Sequence, residues 1–396
     1  MNTAKVTKRI EIVGLYSVIA SCFFIPFSSS LMGATTILAL ICWVLSGKIA
    51  EFPRLICSNK LVFLATALFT LLIFGVFYGP AETVEALSSL KKYRELLLFS
   101  MTISYLGGRE NKAVLAEKCF IAGLILLLSI SYAMYFGIIP TEKYGYSTVY
   151  HITHSFFMAI LSFWALQRLI AWTGFRLFWF LVLITASINL FYIAPGRTGM
   201  LVSIALILLT VFQHLSLKKY ILGLLLCTIV IGAAFFTSQN FSTRMSEAVD
   251  EIQNYQPGSS RTSLGMRFDW WHNCITLIKE KPLLGHGTGS FESAQRPLIK
   301  GTQTMKSDNP HNEYLLIGVQ VGLVGVGLYL ALLGGIFIAS YNKQKPINFL
   351  LQGLIVAMSC GCLMNSFLFD SHQGHFFAII SAVLLSTQTK SQTHRR

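Results

Sequence analysis

Three stretches of the chain set basic or proton-accepting side chains where an apolar segment starts or stops. Arg197 stands in IAPGRTGML, Arg267 in SLGMRFDWWHN, and His311, Asn312 and Glu313 in SDNPHNEYLLIGVQVGLVGVGLYL. A guanidinium presents a planar fork of donors that grips phosphate oxygens in pairs. Neutral imidazole accepts a proton near pH 7. The Asn312 amide suits a sugar hydroxyl or a phosphate, and Glu313 lies near enough along the chain to set the histidine's orientation or charge. Arg261, the run Lys91-Lys92-Tyr93-Arg94, and His372 and His375 extend the set, the last two spaced to share one helix face. Each also has a plainer reading. Arg197 fits a snorkelling arginine at a helix end. Arg267 and Arg261 fit solvated residues paired with a neighbour, the basic run an anchor for anionic head groups, and the histidines capping or interfacial groups.

Other chemistries fit less well. No HExxH spacing occurs, and GHGTG at 285–289 resembles a phosphate-cradling loop without the strand and helix that such a loop joins. Asp250, Asp269, Asp308 and Asp370 are the only aspartates, and no two form an Asp-x-Asp pair. A hard cation bridging a diphosphate wants carboxylates; here arginines take that place, so the expected reaction uses no metal or other cofactor. External arginines, a histidine and aromatic residues suit an amphipathic substrate with an anionic head and a lipid tail. A lipid diphosphate fits: its leaving group is already stabilised, leaving the protein to neutralise charge and supply a base for an incoming hydroxyl.

The elements that must hold these residues are membrane helices. Of the 396 residues 54% are hydrophobic and 12% charged, against roughly 25% charged in soluble domains. Uncharged blocks such as 61–79, 120–139, 177–193 and 220–236 approach the roughly 20 residues that span a bilayer. An all-α polytopic membrane protein is expected, with about twelve transmembrane helices near 11–30, 32–47, 61–79, 93–107, 115–138, 152–171, 175–194, 199–215, 219–236, 312–340, 347–367 and 375–388. The net charge of +14 falls in alternate loops, including Lys218-Lys219 and the tail residues Lys390, Arg395 and Arg396. That is the positive-inside pattern with both termini cytoplasmic, and it argues for membrane lipids rather than nucleic acid as the charge's partner. The domain reading is a bundle over 1–237, a large periplasmic loop over 238–310, and a second set of spans with a cytoplasmic tail over 311–396. Within the loop, 241–255 reads as a helix capped by Ser242 or Thr243. A second helix over 263–282 carries Met266, Trp270, Cys274 and Leu277 on one face. The two would form a helical cap over the outer mouth of the bundle. Eight cysteines give no disulfide framework, since most lie in apolar runs.

With these stretches in view the chain resembles the bacterial O-antigen ligase family, within the ligase and polymerase superfamily of lipopolysaccharide assembly. APGRTGML, RMSEAVDEIQNYQPGSSRTSLGMRFDWWHN, PHNEYLLIGVQVGLVG and NSFLFDSHQGHFFA carry the resemblance. It implies a GT-C-type glycosyltransferase of the inner membrane with a periplasmic active site. It implies transfer of polysaccharide from undecaprenyl diphosphate to the lipid A–core oligosaccharide, without a metal and with inversion. Arg197 and Arg267 would then hold the diphosphate and His311 would be the base. O-antigen polymerases and protein O-oligosaccharyltransferases share the loop and similar arginines. A lipid-linked glycan flippase or exporter is a reading from another class, and it predicts charged residues deep within spans, where the sequence has hardly any.

Overall fold

A computed structural model describes residues 3–141, 143–171, 174–194, 196–216, 219–259 and 261–387. Lys218, Lys390, Arg395 and Arg396 of the basic loops lie outside them. The helices are α1 (Thr3–Phe24), α2 (Ser29–Leu45), α3 (Phe52–Ser58), α4 (Lys60–Gly75), α5 (Thr83–Lys92), α6 (Glu95–Leu106), α7 (Glu110–Tyr135) and α8 (His151–Ile170). There follow α9 (Arg176–Ile188, wound on to Ile193), α10 (Arg197–His214), α11 (Tyr220–Thr237), α12 (Gln239–Gln253), α13 (Ser263–Glu280) and α14 (Phe291–Ile299). Last come α15 (Glu313–Ser340), α16 (Ile347–Met364) and α17 (Ser371–Leu385). No β-strand occurs among the described residues.

Each expected apolar segment coincides with a helix, though some ends differ. The first helix stops at Phe24 rather than near residue 30, because Pro26 cannot continue it and the residue before a proline avoids the helical region. Five helices are long and apolar enough to cross a membrane: α7, α9 with its extension, α10, α15 and α16. The segment 29–58, bent by 77° between α2 and the following turns, makes a sixth if read as one span. α4 and α17 are apolar and shorter.

At the centre of the bundle α7, α8, α17 and the turn before α17 interlock through Phe120, Phe156, Phe157, Trp164, Phe367 and Phe376, all buried, with mainly edge-to-face ring contacts. Among lipid-facing helices such packing, rather than release of water, holds neighbours together. Charge is also present inside. Glu117 accepts from Arg168 and from the Trp164 indole, and Glu95 lies 3.3 Å from His375, both almost wholly enclosed. Glu95 opens α6, and Glu117 and Arg168 lie within about two turns of the ends of α7 and α8, so this buried charge sits toward the helix ends.

The cap is helical, as expected, with different bounds. Ser238, not Ser242 or Thr243, caps α12 by accepting from the Phe241 amide. Thr262 caps α13, and Trp270, Cys274 and Leu277 of its apolar face are buried. Pro282 to Ser290 then runs into a break in α15. Val321 and Gly322 leave helical geometry (Gly322 φ 68°, ψ −169°). The Val319 and Gln320 carbonyls, which would accept from Leu323 and Val324 in an unbroken helix, accept instead from the His286 and Gly287 amides at 2.7 and 2.8 Å. Leu323 and Val324 in turn donate to the Pro282 and Leu283 carbonyls at 2.7 and 3.4 Å. Two helical hydrogen bonds are thus exchanged for four between the loop and the span.

Gly322 has no tolerable replacement here, since a Cβ would lie 2.1 Å from the Leu283 oxygen in backbone geometry essentially confined to glycine. Gly322→Ala is expected to lose at least about 1–3 kcal/mol, seen as a lower thermal midpoint of the detergent-solubilised protein. Gly327→Ala in the same helix, where a Cβ meets nothing within 4 Å, should keep the wild-type midpoint. Equal midpoints for the two variants would contradict the break.

Candidate active site

α10 begins at Arg197, just after the chain passes so close to α8 that a Cβ on Gly196 would lie 2.2 Å from the Ser155 hydroxyl. The Arg197 guanidinium is therefore delivered at the end of the bundle, under the cap. Its Nη2 donates to Glu247 Oε2 at 3.0 Å and to Glu251 Oε1 at 2.9 Å, both on α12. Glu251 also accepts from the Leu264 amide in the first turn of α13 at 2.7 Å. One arginine thus ties α10 to both cap helices.

Arg267 reaches the same space from α13. It donates to Asn365 Oδ1 at 3.4 Å, and Asn365 donates to the Thr198 hydroxyl at 2.9 Å. Arg197 and Arg267 line one cavity of about 500 Å³ together with Tyr150, His151 and Arg244. Burial first, and the Arg197 charge second, disfavour the charged form of Arg267. Three guanidiniums against the Glu247 and Glu251 carboxylates leave the cavity positive. Tyr150, His151 and Arg244 are absent from the residues singled out in the sequence. The signal was available for Arg244, because Arg244, Glu247 and Glu251 recur at i, i+3 and i+7 on one face of a helix.

His311 lies just outside α15 rather than opening it. Its backbone is left-handed (φ 55°), held by its amide donating to Asn309 Oδ1 at 2.8 Å. Its ring packs 5.7 Å from Trp270 of α13. Burial first, then the nearby Arg267 charge, push its pKa down to about 4 against the opposing pull of Asp308. The imidazole is consequently neutral at pH 7 and does not cap the helix.

Capping falls to its neighbour Asn312, expected from the sequence to meet substrate. Asn312 Oδ1 accepts from the Leu315 amide at 3.1 Å and its Nδ2 donates to the Leu363 carbonyl at 3.0 Å, so both ends of the amide are used. Glu313 is likewise enclosed, with 0% exposure, and does not face His311. It accepts from the Leu368 and Phe369 amides at 2.8 and 3.1 Å and from the Tyr93 hydroxyl at 3.2 Å. Its role is to fasten the foot of α15 to Tyr93, between α5 and α6, and to the turn before α17.

The remaining candidates scatter. Lys92 stands 3.7 Å from Asp308 and over the Phe369 ring, which brings it near the His311 loop. Arg94 turns to the Lys91 carbonyl and to Glu95 instead. Lys91 and Arg261 are exposed and outside the cavity lining. His372 and His375 lie outside the cavity lining and are engaged within the bundle. His372 donates to the Ile25 carbonyl at 2.7 Å, and His375, with 0% exposure, donates to the Ser371 carbonyl and lies against Glu95. The GHGTG amides are occupied as well: His286 and Gly287 by the break in α15, Thr288 by the Gly75 carbonyl and Gly289 by Gln320. Among the described residues no three His, Cys, Asp or Glu side chains converge as a metal-ligand set.

The described residues form an all-helical bundle with several helices long and apolar enough to cross a membrane, and an arginine-lined cavity at one end, the features of a multi-pass membrane protein. Residues 181–330, which hold Arg197, Arg267 and His311, match the family model described as O-antigen ligase. A Haemophilus influenzae protein named only "Uncharacterized protein" is 34% identical over 150 residues, 36% of this chain and 37% of that one. The match therefore spans little more than a third of that relative's length. A Rickettsia felis protein named "Putative polysaccharide ligase" is 22% identical over 342 residues, 81% of this chain and 78% of that one.

The Arg197 contacts predict how the cavity responds to an anion. Glu247 is half-exposed and also pairs with Arg244, so neutralising it frees two guanidiniums at small structural cost. An exposed ion pair is worth about 0.2–1 kcal/mol, so Glu247→Gln should bind inorganic pyrophosphate up to about fivefold tighter by titration calorimetry. Weaker binding would mean that the carboxylate organises the site rather than competing for it.

Proposed function

We propose that this protein is an O-antigen ligase that moves a finished polysaccharide from undecaprenyl diphosphate to a sugar of the lipid A–core. The carrying observation is the pair Arg197 and Arg267 on one cavity, with neutral His311 beside Arg267. The diphosphate displaces Glu247 and Glu251 from Arg197 and is gripped by both guanidiniums. His311 takes the proton of the acceptor hydroxyl. The hydroxyl oxygen attacks the anomeric carbon from the face opposite the diphosphate, the carbon–oxygen bond to the diphosphate breaks, and the configuration inverts. The charge left on undecaprenyl diphosphate stays on the arginines. No metal or cofactor enters this scheme.

Charge coupling gives the scheme an order. In the free protein the Arg267 charge helps keep His311 a weak base, near pKa 4. A bound diphosphate offsets that charge, raises the histidine's pKa and so strengthens the base only when donor is present.

The basic loops support a topology of about twelve spans in a GT-C-type transferase of the bacterial inner membrane, with both termini cytoplasmic and 238–310 periplasmic. A polymerase or a protein O-oligosaccharyltransferase would use the same parts with another acceptor. The family description and the name of the Rickettsia felis relative favour the ligase. A flippase or exporter accounts poorly for a folded cap that holds a histidine beside the arginines.

Two measurements test the roles. On the acid side, kcat/KM, which reports the free protein, should fall only near pH 4, while kcat, which reports the complex, should fall at a higher pH; coincident limbs would contradict the coupling. His311→Ala should bind an undecaprenyl diphosphate analogue as wild type does and lose about 10²–10⁴-fold in kcat. Arg197→Lys should instead weaken that binding about ten- to a hundredfold. Wild-type turnover by folded His311→Ala would end the base assignment.

A further inference from the structure

A second cavity, of about 710 Å³, lies on another face of α13 and shares no lining residue with the arginine cavity. Its size falls within the roughly 300–1,000 Å³ of ligand sites. Tyr255, Phe268 and Trp271 form one wall as an edge-to-face series, with ring centres 5.2 and 5.7 Å apart. Asn273 also lines it, only 9% exposed. Its side-chain amide makes no hydrogen bond with any described residue. The amide opens onto the cleft, where a bound hydroxyl can donate to it or accept from it. Asp269 is different: its two oxygens are taken by the Tyr255 hydroxyl at 2.7 Å, the Gly258 amide at 2.9 Å and the Thr304 hydroxyl at 3.2 Å. It holds the wall and rim in place, with one acceptor site on Oδ2 left over.

We propose that this cleft is a carbohydrate subsite. Aromatic faces carry negative charge density and attract the C–H face of a pyranose ring. An amide offers a donor and an acceptor at once, matching neighbouring hydroxyls. No arginine or lysine lines the cleft, so it suits a neutral polyhydroxyl ring and not a phosphate. The cleft also communicates with the candidate active site, because the Trp271 indole donates to the Pro310 carbonyl at 2.9 Å, one residue before His311. Which glycan sits there, donor polysaccharide or acceptor core, rests on the transferase reading; the binding chemistry does not.

The test uses the full chain in detergent and two lipid-free probes, O-polysaccharide and core oligosaccharide released by mild acid from the source organism's lipopolysaccharide. Binding is read by saturation-transfer NMR and by tryptophan fluorescence. At least one probe should bind wild type. Asn273→Ala and the volume-keeping Phe268→Leu should each weaken it about three- to tenfold, as expected for one neutral hydrogen bond or one ring contact, while pyrophosphate binding stays at wild-type strength. In a transfer assay the same variants should raise KM for the glycan that binds and leave kcat unchanged, the signature of lost ground-state binding; a rise for the donor or for the acceptor says which it is. Binding of neither probe to wild type, or equal binding by wild type and both variants, would overturn the subsite. Loss of probe binding in the variants with no transfer by wild type would leave the subsite standing and the ligase reading fallen.

Discussion

The exchange of hydrogen bonds at the break in α15 is the constraint on which the rest of the molecule depends. A backbone amide or carbonyl inside an apolar bundle must find a partner, and a glycine in extended left-handed geometry denies Val319, Gln320, Leu323 and Val324 their helical ones. Residues 282–287 supply all four. The cap is therefore bonded into the span rather than tethered to it. From there the bonding continues inward: the Gly289 amide donates to Gln320, Gln320 to the Tyr93 hydroxyl, and Tyr93 to Glu313, which also holds the turn before α17. Neutral links and one enclosed carboxylate thus join the cap, the junction of α5 and α6, α15 and the start of α17 beneath His311.

That frame sets the electrostatics. α13 leads directly into the same anchored segment and carries Arg267 into the space shared with Arg197 and near His311. Two like charges in a half-buried space repel, and each finds relief locally: Arg197 in two glutamates, Arg267 in the Asn365 amide. An anionic group entering the cavity would meet positive charge already held in place, with Glu247 and Glu251 as the groups it must displace from Arg197. His311 is neutral first because it is buried, and then because its protonated form would add another positive charge beside Arg267.

Much of this was legible in the sequence. Twelve apolar blocks gave twelve helices, and the period of Met266, Trp270, Cys274 and Leu277 gave the buried face of α13. Arg197, Arg267 and His311 stood out because charge at the edge of an apolar run is costly. What did not read was pairing. Nothing in the order of residues says that His375 would meet Glu95, that Asn312 would spend its amide on a cap, or that Glu313 would turn away from its neighbour. Such contacts join positions far apart in the chain. The GHGTG run resembled a phosphate loop, without the strand and helix such a loop joins, because glycine permits close backbone approach; the approach is real, but the partner is another helix. Gly322 passed unnoticed for a similar reason, since one glycine among many in an apolar helix carries no periodic signal.

Reconstitution tests the central claim most directly. Purified protein in detergent or vesicles would be mixed with undecaprenyl-diphosphate-linked polysaccharide and lipid A–core, in EDTA and with no other enzyme. Products would be separated by gel and identified by mass. The account predicts polysaccharide on the lipid A–core in the presence of wild-type protein and none with His311→Ala. Absence of that product, its dependence on an added divalent metal, or glycan lengthened on the undecaprenyl carrier instead would contradict it.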